Sequence, residues 1–251
     1  MRVKTPSAET PEMRPVFRGA GPQAADYDNH RTAFTELASR IGMFCSYCER
    51  RIPTQLAVEH IQPQKLYTHL KGRWNNFLLA CVNCNSTKGC QDVVLNEVLL
   101  PDRDNTAAAY AYTMDGKIAV QAGLTDSQHD LAKRTLTLTG LDRSANSETD
   151  SNGKLVTIDR VAQRMETWLL AQECKRDLRS NATEPFRKQI ARTATAQGFF
   201  SIWMTVFKDD VVVRKLLIQE FRGTAKDCFD ANTTLPVSPR PANGLPDGSK
   251  T

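Results

Sequence analysis

Residues 57–63 read AVEHIQP, and two C-x-x-C pairs enclose them, CSYC at 45–48 and CVNC at 81–84. Four thiolates at about 2.3 Å satisfy Zn²⁺ tetrahedrally and leave no open position, so Cys45, Cys48, Cys81 and Cys84 are expected to form a closed, structural zinc site. The 32 residues between Cys48 and Cys81 exceed the spacing of a simple ribbon, which places an inserted element between the two knuckles. A thioredoxin-like redox role for CSYC is the rival reading, and no βαβ context supports it. Metal binding in structural zinc sites contributes roughly 10–16 kcal/mol in peptides, enough to hold a small unit with little core of its own.

What the knuckles hold is AVEHIQPQK followed by GRWNNFLLACVNCNSTKG. The order of acid, His, hydrophobic residue, any residue and Pro, then W-x-N before an apolar run, then C-x-x-C-N and Lys, resembles the HNH nuclease motif of the ββα-metal fold. By that resemblance His60 is the general base and Glu59 a metal-facing acid. Asn76 braces the catalytic loop, Asn85 is a metal ligand and Lys88 a phosphate contact. Glu59 stands where many such enzymes have Asp, and Asn85 where others have His. An amide oxygen suits a hard ion, so Mg²⁺ or Mn²⁺ is expected there in preference to a second zinc.

The residue types suit the chemistry on their own account. Phosphodiester hydrolysis near neutral pH needs a base that titrates there and a cation to offset charge on the phosphorane and the departing 3′ oxygen. Adjacent residues on a strand point to opposite faces, so Glu59 can hold metal while His60 meets water. Each residue also has a plainer reading. His60 alone would be a hydrogen-bonded structural histidine, Glu59 a surface acid paired with Arg50 or Lys88, and Asn76, like Asn75, a turn residue. His30, His69 and His129 have no partners by spacing and are assigned to the surface.

Of a net charge of +5, a surplus of four lies between Cys45 and Cys90, where six bases (Arg50, Arg51, Lys65, Lys71, Arg73 and Lys88) face two acids (Glu49 and Glu59). Such a surplus favours polyphosphate, and Arg50, Arg51, Arg73 and Lys88 are the expected nucleic-acid contacts; a solvated basic face is the alternative. Phosphate contacts of this kind read no sequence. Seven cysteines, the lack of an apolar leader in MRVKTPSAETPEM and no apolar run near the roughly 20 residues of a membrane span lead us to expect a cytoplasmic protein.

The fold class expected is α+β, a small ββα-metal unit with a zinc knuckle embedded in a mainly helical body. Residues 1–27 form an N-terminal arm, 28–100 the nuclease unit, 101–230 a hairpin and helical body offering a partner or oligomer surface, and 231–251 a proline-rich tail, disordered unless something docks it. A helix ends at Gly42, a two-residue turn at Asp115-Gly116 joins two strands, and 144–154 is a polar loop. Ile158, Val161, Met165, Trp168 and Leu169 make an apolar stripe that is assigned to core.

FCSYCERRI, VEHIQPQ, RWNNFLLACVNCNSTKG, the hairpin and RTLTLTGLDR together resemble the HNH nuclease subunit of Septu-type and retron-associated anti-phage systems, over roughly residues 28–170. That resemblance implies a partner ATPase of the ABC or SMC-like kind and phage or host nucleic acid as target, with DNA expected. The competing class is a zinc-stabilised nucleic-acid- or protein-binding module without cleavage activity.

Overall fold

A computed structural model describes residues 13–21, 27–143 and 160–251. Helix α1 (Phe34–Ile41) stops at Gly42, as its apolar spacing predicts, with Leu37 and Ile41 buried. The chain then turns through Cys45–Cys48, closed by Cys45 N–H donating to the Arg50 carbonyl (3.0 Å) and Ile52 N–H to that of Met43 (2.9 Å). Strand β1 (Leu56–His60) pairs antiparallel with β2 (Phe77–Cys81), placing Glu59 opposite Leu78 and His60 opposite Phe77. Helix α2 (Val82–Lys88) follows directly, with the Cys81 sulfur as its N-cap acceptor from Cys84 N–H (3.5 Å). These elements make the ββα unit.

A second hairpin, β3 (Tyr110–Tyr112) and β4 (Ile118–Val120), leads to α3 (Asp126–Thr139). Its turn is one residue longer than a two-residue Asp-Gly loop: Thr113 N–H donates to the Lys117 carbonyl, so Met114, Asp115 and Gly116 form the loop. The body is helical: α4 (Arg160–Ser180), α5 (Glu184–Gln197), α6 (Phe200–Val206) and α7 (Val211–Glu220), with α4 on α6 and α5 on α7. The architecture is therefore α+β with a mainly helical second half. Among the described residues no helix is long and apolar enough to cross a membrane.

Both termini of the described chain are woven into this body. Met13, Arg14, Val16 and Arg18 are buried, with Val16 bridged to Thr224. Arg18 pairs with buried Asp102 at 2.8 Å. Residues 231–251 are docked by the protein itself: buried Arg240 donates to the Pro101 and Val16 carbonyls (2.9 and 3.1 Å), and the Asn105 amide donates to those of Cys228 and Val237. A guanidinium can satisfy several carbonyls at once, which is how a stretch without helix or strand acquires a fixed place. The polar loop expected at 144–154 falls outside the described residues.

The knuckle is anchored to the helices through Glu49. Its buried carboxylate accepts from Arg14 N–H (2.6 Å), Ser201 N–H (2.9 Å) and the Ser201 hydroxyl (2.6 Å). Gly198 lies against the same turn, where a Cβ would come within 2.6 Å of the Arg51 nitrogen, and its φ of +86° also requires glycine.

The stripe expected to be core on α4 divides: Trp168 packs against the core and Val161 is half-buried, but Met165 and Leu169 are 41% and 57% exposed, while Arg164, Thr167, Ala171 and Leu178 are buried. Ile158 lies outside the described residues. Arg164 is turned inward because the start of α4 lies beside the sulfur cluster.

Candidate metal and nuclease site

The four knuckle sulfurs are buried and lie within 4.8 Å of one another, with Cys48 and Cys81 at 3.7 Å. Tetrahedral zinc at about 2.3 Å from each sulfur requires sulfur–sulfur distances of about 3.8 Å, so the cluster fits that ion. The shared thiol hydrogen bonds push Cys81 far below its usual range, led by the bond with Cys45, while burial holds the Cys45 thiol well above it. The full set of thiolates requires a divalent cation.

Four thiolates around a zinc ion would carry a net charge of about −2, and cations gather around the cluster. Arg50 is buried, donating to Asn83 (3.1 Å) and to Gln163 on α4 (3.3 Å); the Cys48 and Cys81 thiolates raise its pKa against the burial that lowers it. Arg160 comes within 3.7 Å of the Cys84 sulfur. Buried Arg164 feels Cys48 and Cys84 and donates to the Gly116 carbonyl at 2.5 Å. The first turns of α4 therefore bring Arg160 and Arg164 to the sulfur cluster.

On β1, Glu59 and His60 diverge as strand geometry requires. Glu59 is 1% exposed, accepting from Lys88 on α2 (3.1 Å) and from the Tyr47 hydroxyl (3.3 Å) through Oε1, while among the described residues Oε2 has no hydrogen-bond partner. Burial raises its pKa to about 7 against the opposing pull of Lys88. An unsatisfied buried carboxylate oxygen is the kind of atom a divalent cation can use. Asn85 stands one turn before Lys88 on the same helix, half-buried.

His60 lies on the other face, half-buried, with Nε2 2.9 Å from the Lys71 carbonyl. A carbonyl only accepts, so Nε2 carries the proton and Nδ1 presents the free lone pair. Burial lowers the pKa of His60, which keeps the ring neutral. Asn76 clamps the loop that follows β1: its Oδ1 accepts from Gln62 N–H (2.8 Å), and its Nδ2 donates to the Gln62 carbonyl (2.9 Å) and, more weakly, to that of Leu70 (3.4 Å). Neighbouring Asn75 is exposed, with its carbonyl taken by Arg18 and Arg103.

The expected basic contacts divide. Arg51 and Arg73 are exposed. Arg50 and Lys88 are buried and occupied, one by the sulfur cluster and its neighbours and the other by Glu59, because each lies against a buried negative charge.

Two groups near His60 escaped the sequence reading. The His30 ring is 4.7 Å from that of His60, edge to face, and Lys71 is exposed beside it. His30 arrives there because Tyr27 N–H donates to the Gly72 carbonyl (2.9 Å) and the Tyr27 ring stacks near Trp74 (6.1 Å). A Cβ on Gly72 would meet the Tyr27 carbonyl at 2.5 Å. Only tertiary contact joins these segments, so no spacing in the sequence foretells it.

Residues 45–91, which carry the sulfur cluster, the hairpin and α2, match the HNH endonuclease family model. Over 79 residues the chain is 33% identical to the Septu protein PtuB of Bacillus thuringiensis. That alignment covers 29% of this chain and 31% of the relative, so the likeness spans about a third of either protein.

Proposed function

We propose that this protein is a metal-dependent endonuclease that hydrolyses nucleic-acid phosphodiesters, with DNA the expected substrate. The observation that carries this reading is the fixed tautomer of His60. Its Nδ1 is placed to take a proton from water as the water oxygen bonds to phosphorus and the bond from phosphorus to the 3′ oxygen breaks. Asn76 holds the loop on which this geometry depends. Glu59, through Oε2, and Asn85 would hold Mg²⁺ or Mn²⁺, which supplies charge neutralisation at the phosphate and the departing oxygen. Arg51, Arg73, Lys65 and Lys71 are exposed and would meet the backbone.

The likeness to a Septu protein supports a role as effector in anti-phage defence, with an ATPase of the ABC or SMC-like kind as partner. The closed pair of Lys88 and Glu59 favours a second reading, a zinc-stabilised binding module without cleavage activity. Supercoiled-plasmid cleavage in Mg²⁺ and Mn²⁺ by wild type and His60→Ala, at equal zinc content, tests the first reading. Nicking or linearisation by wild type alone is expected. If neither protein cuts, with or without the candidate ATPase, the binding module is the better account.

A further inference from the structure

Helix α4 carries Trp168, Gln172, Lys175, Arg176 and Arg179 at spacings of four, three, one and three residues, which puts them along one face for about 16 Å. That face borders a cavity of about 570 Å³, closed on its other side by Thr205, Val206 and Lys208 at the end of α6. Lys175 forms part of the wall, its ammonium donating to the Val206 carbonyl (2.6 Å) and pairing with Asp209 (3.2 Å). Among the described residues, the side chains of Arg176, Arg179 and Lys208 have no hydrogen bond or ion pair. Trp168 is half-buried, and its indole N–H is buried without an acceptor.

Arg176, Arg179 and Lys208 leave the groove with more positive than negative charge, since its acid, Asp209, is paired with Lys175, and like charges along one wall favour a bound anion. A solvated basic helix face would not need a cavity walled by a half-buried tryptophan. We infer that this groove between α4 and α6 binds a free nucleoside triphosphate. Arg176, Arg179 and Lys208 would meet the phosphates, and Trp168 would stack on the base. A cavity of this size lies within the range of about 300–1,000 Å³ that takes one small ligand. Stacking of a base on an aromatic ring is sequence-tolerant, so the site would accept more than one base. None of this depends on the nuclease reading.

The test uses the full, zinc-loaded chain, titrated with ATP, GTP, tripolyphosphate or a short oligothymidylate and followed by calorimetry and tryptophan fluorescence. Trp74 and Trp203 are 2% and 0% exposed, so quenching on addition of ligand reports chiefly on Trp168. Saturable binding of ATP or GTP with Kd below about 1 mM is expected, weakened at least about tenfold in Arg176→Ala/Arg179→Ala and kept in His60→Ala. Both arginines are exposed, and circular dichroism checks that the double variant folds. Absence of saturable nucleotide binding, or binding that the double variant leaves unchanged, overturns the inference. Binding of the oligonucleotide alone also overturns it, placing the groove on the path of a strand. Tripolyphosphate binding as tightly as ATP removes the base from the site and overturns the nucleotide assignment.

Discussion

His30 and His60 come from segments 30 residues apart in sequence, yet their rings meet edge to face at 4.7 Å. His30 is one of the groups that hold the His60 pKa down, after burial. Replacing His30 with Ala removes that charge and opens the site to water, and both changes raise the His60 pKa. In His30→Ala the acid limb of a cleavage–pH profile is therefore expected at higher pH than in wild type, with plateau activity reduced by less than about tenfold. An unmoved limb would show that the contact is packing only.

In wild type, the depressed pKa of His60 predicts that cleavage persists below the ordinary imidazole value of about 6.5 before falling with pH. Asn76→Ala should remove more activity than stability. The clamp on Gln62 is worth about 1–3 kcal/mol, whereas loss of loop geometry should cost cleavage roughly 100-fold. Denaturant unfolding beside plasmid cleavage separates the two effects.

Glu59 gives a prediction about stability. Its folded pKa of about 7 lies above the unfolded value of 4.5, so its contribution is complete below pH 4.5 and is lost as pH rises through about 7. The full difference is on the order of 3 kcal/mol. In zinc-loaded protein without added magnesium, Glu59→Gln should flatten the stability–pH curve between those values. Added Mg²⁺ or Mn²⁺ should stabilise wild type more than the variant. Equal stabilisation would count against Glu59 as a ligand.

If the four-cysteine cluster holds zinc, Cys45→Ser or Cys81→Ser, like prolonged chelation, unfolds the ββα unit, seen as lost near-ultraviolet dichroism and lowered Tm. Cys90→Ser, at an exposed position outside the cluster, should leave both unchanged. Arg164→Met keeps the volume and removes the charge. Zinc affinity is then expected to fall about 10–100-fold, in the range of other groups that support metal ligands from behind. A chelator competition measures it.

Much of the nuclease unit was legible because its signals are local. The paired C-x-x-C motifs, the helix ending at Gly42 and the Asp-Gly hairpin each specify structure over a few residues. The α4 stripe was legible only in part: Trp168 packs against the core, but Arg160 and Arg164 on the first turns meet the sulfur cluster, and Met165 and Leu169 are left exposed. Lys88 and Arg50 look like surface cations until the buried charges beside them are seen. The docking of 231–251 depends on Arg240 and Asn105 meeting carbonyls more than 100 residues away, and no composition foretells that.

The three hydrogen bonds on Glu49 bear on portability. Two of their donors belong to Ser201 and one to Arg14, all outside residues 45–91. Excised alone, that segment would carry a carboxylate stripped of every donor and a sulfur cluster without Arg160 and Arg164. The stretch that defines the family resemblance is thus smaller than the unit able to stand by itself, and a minimal transplantable version would have to take the helices with it.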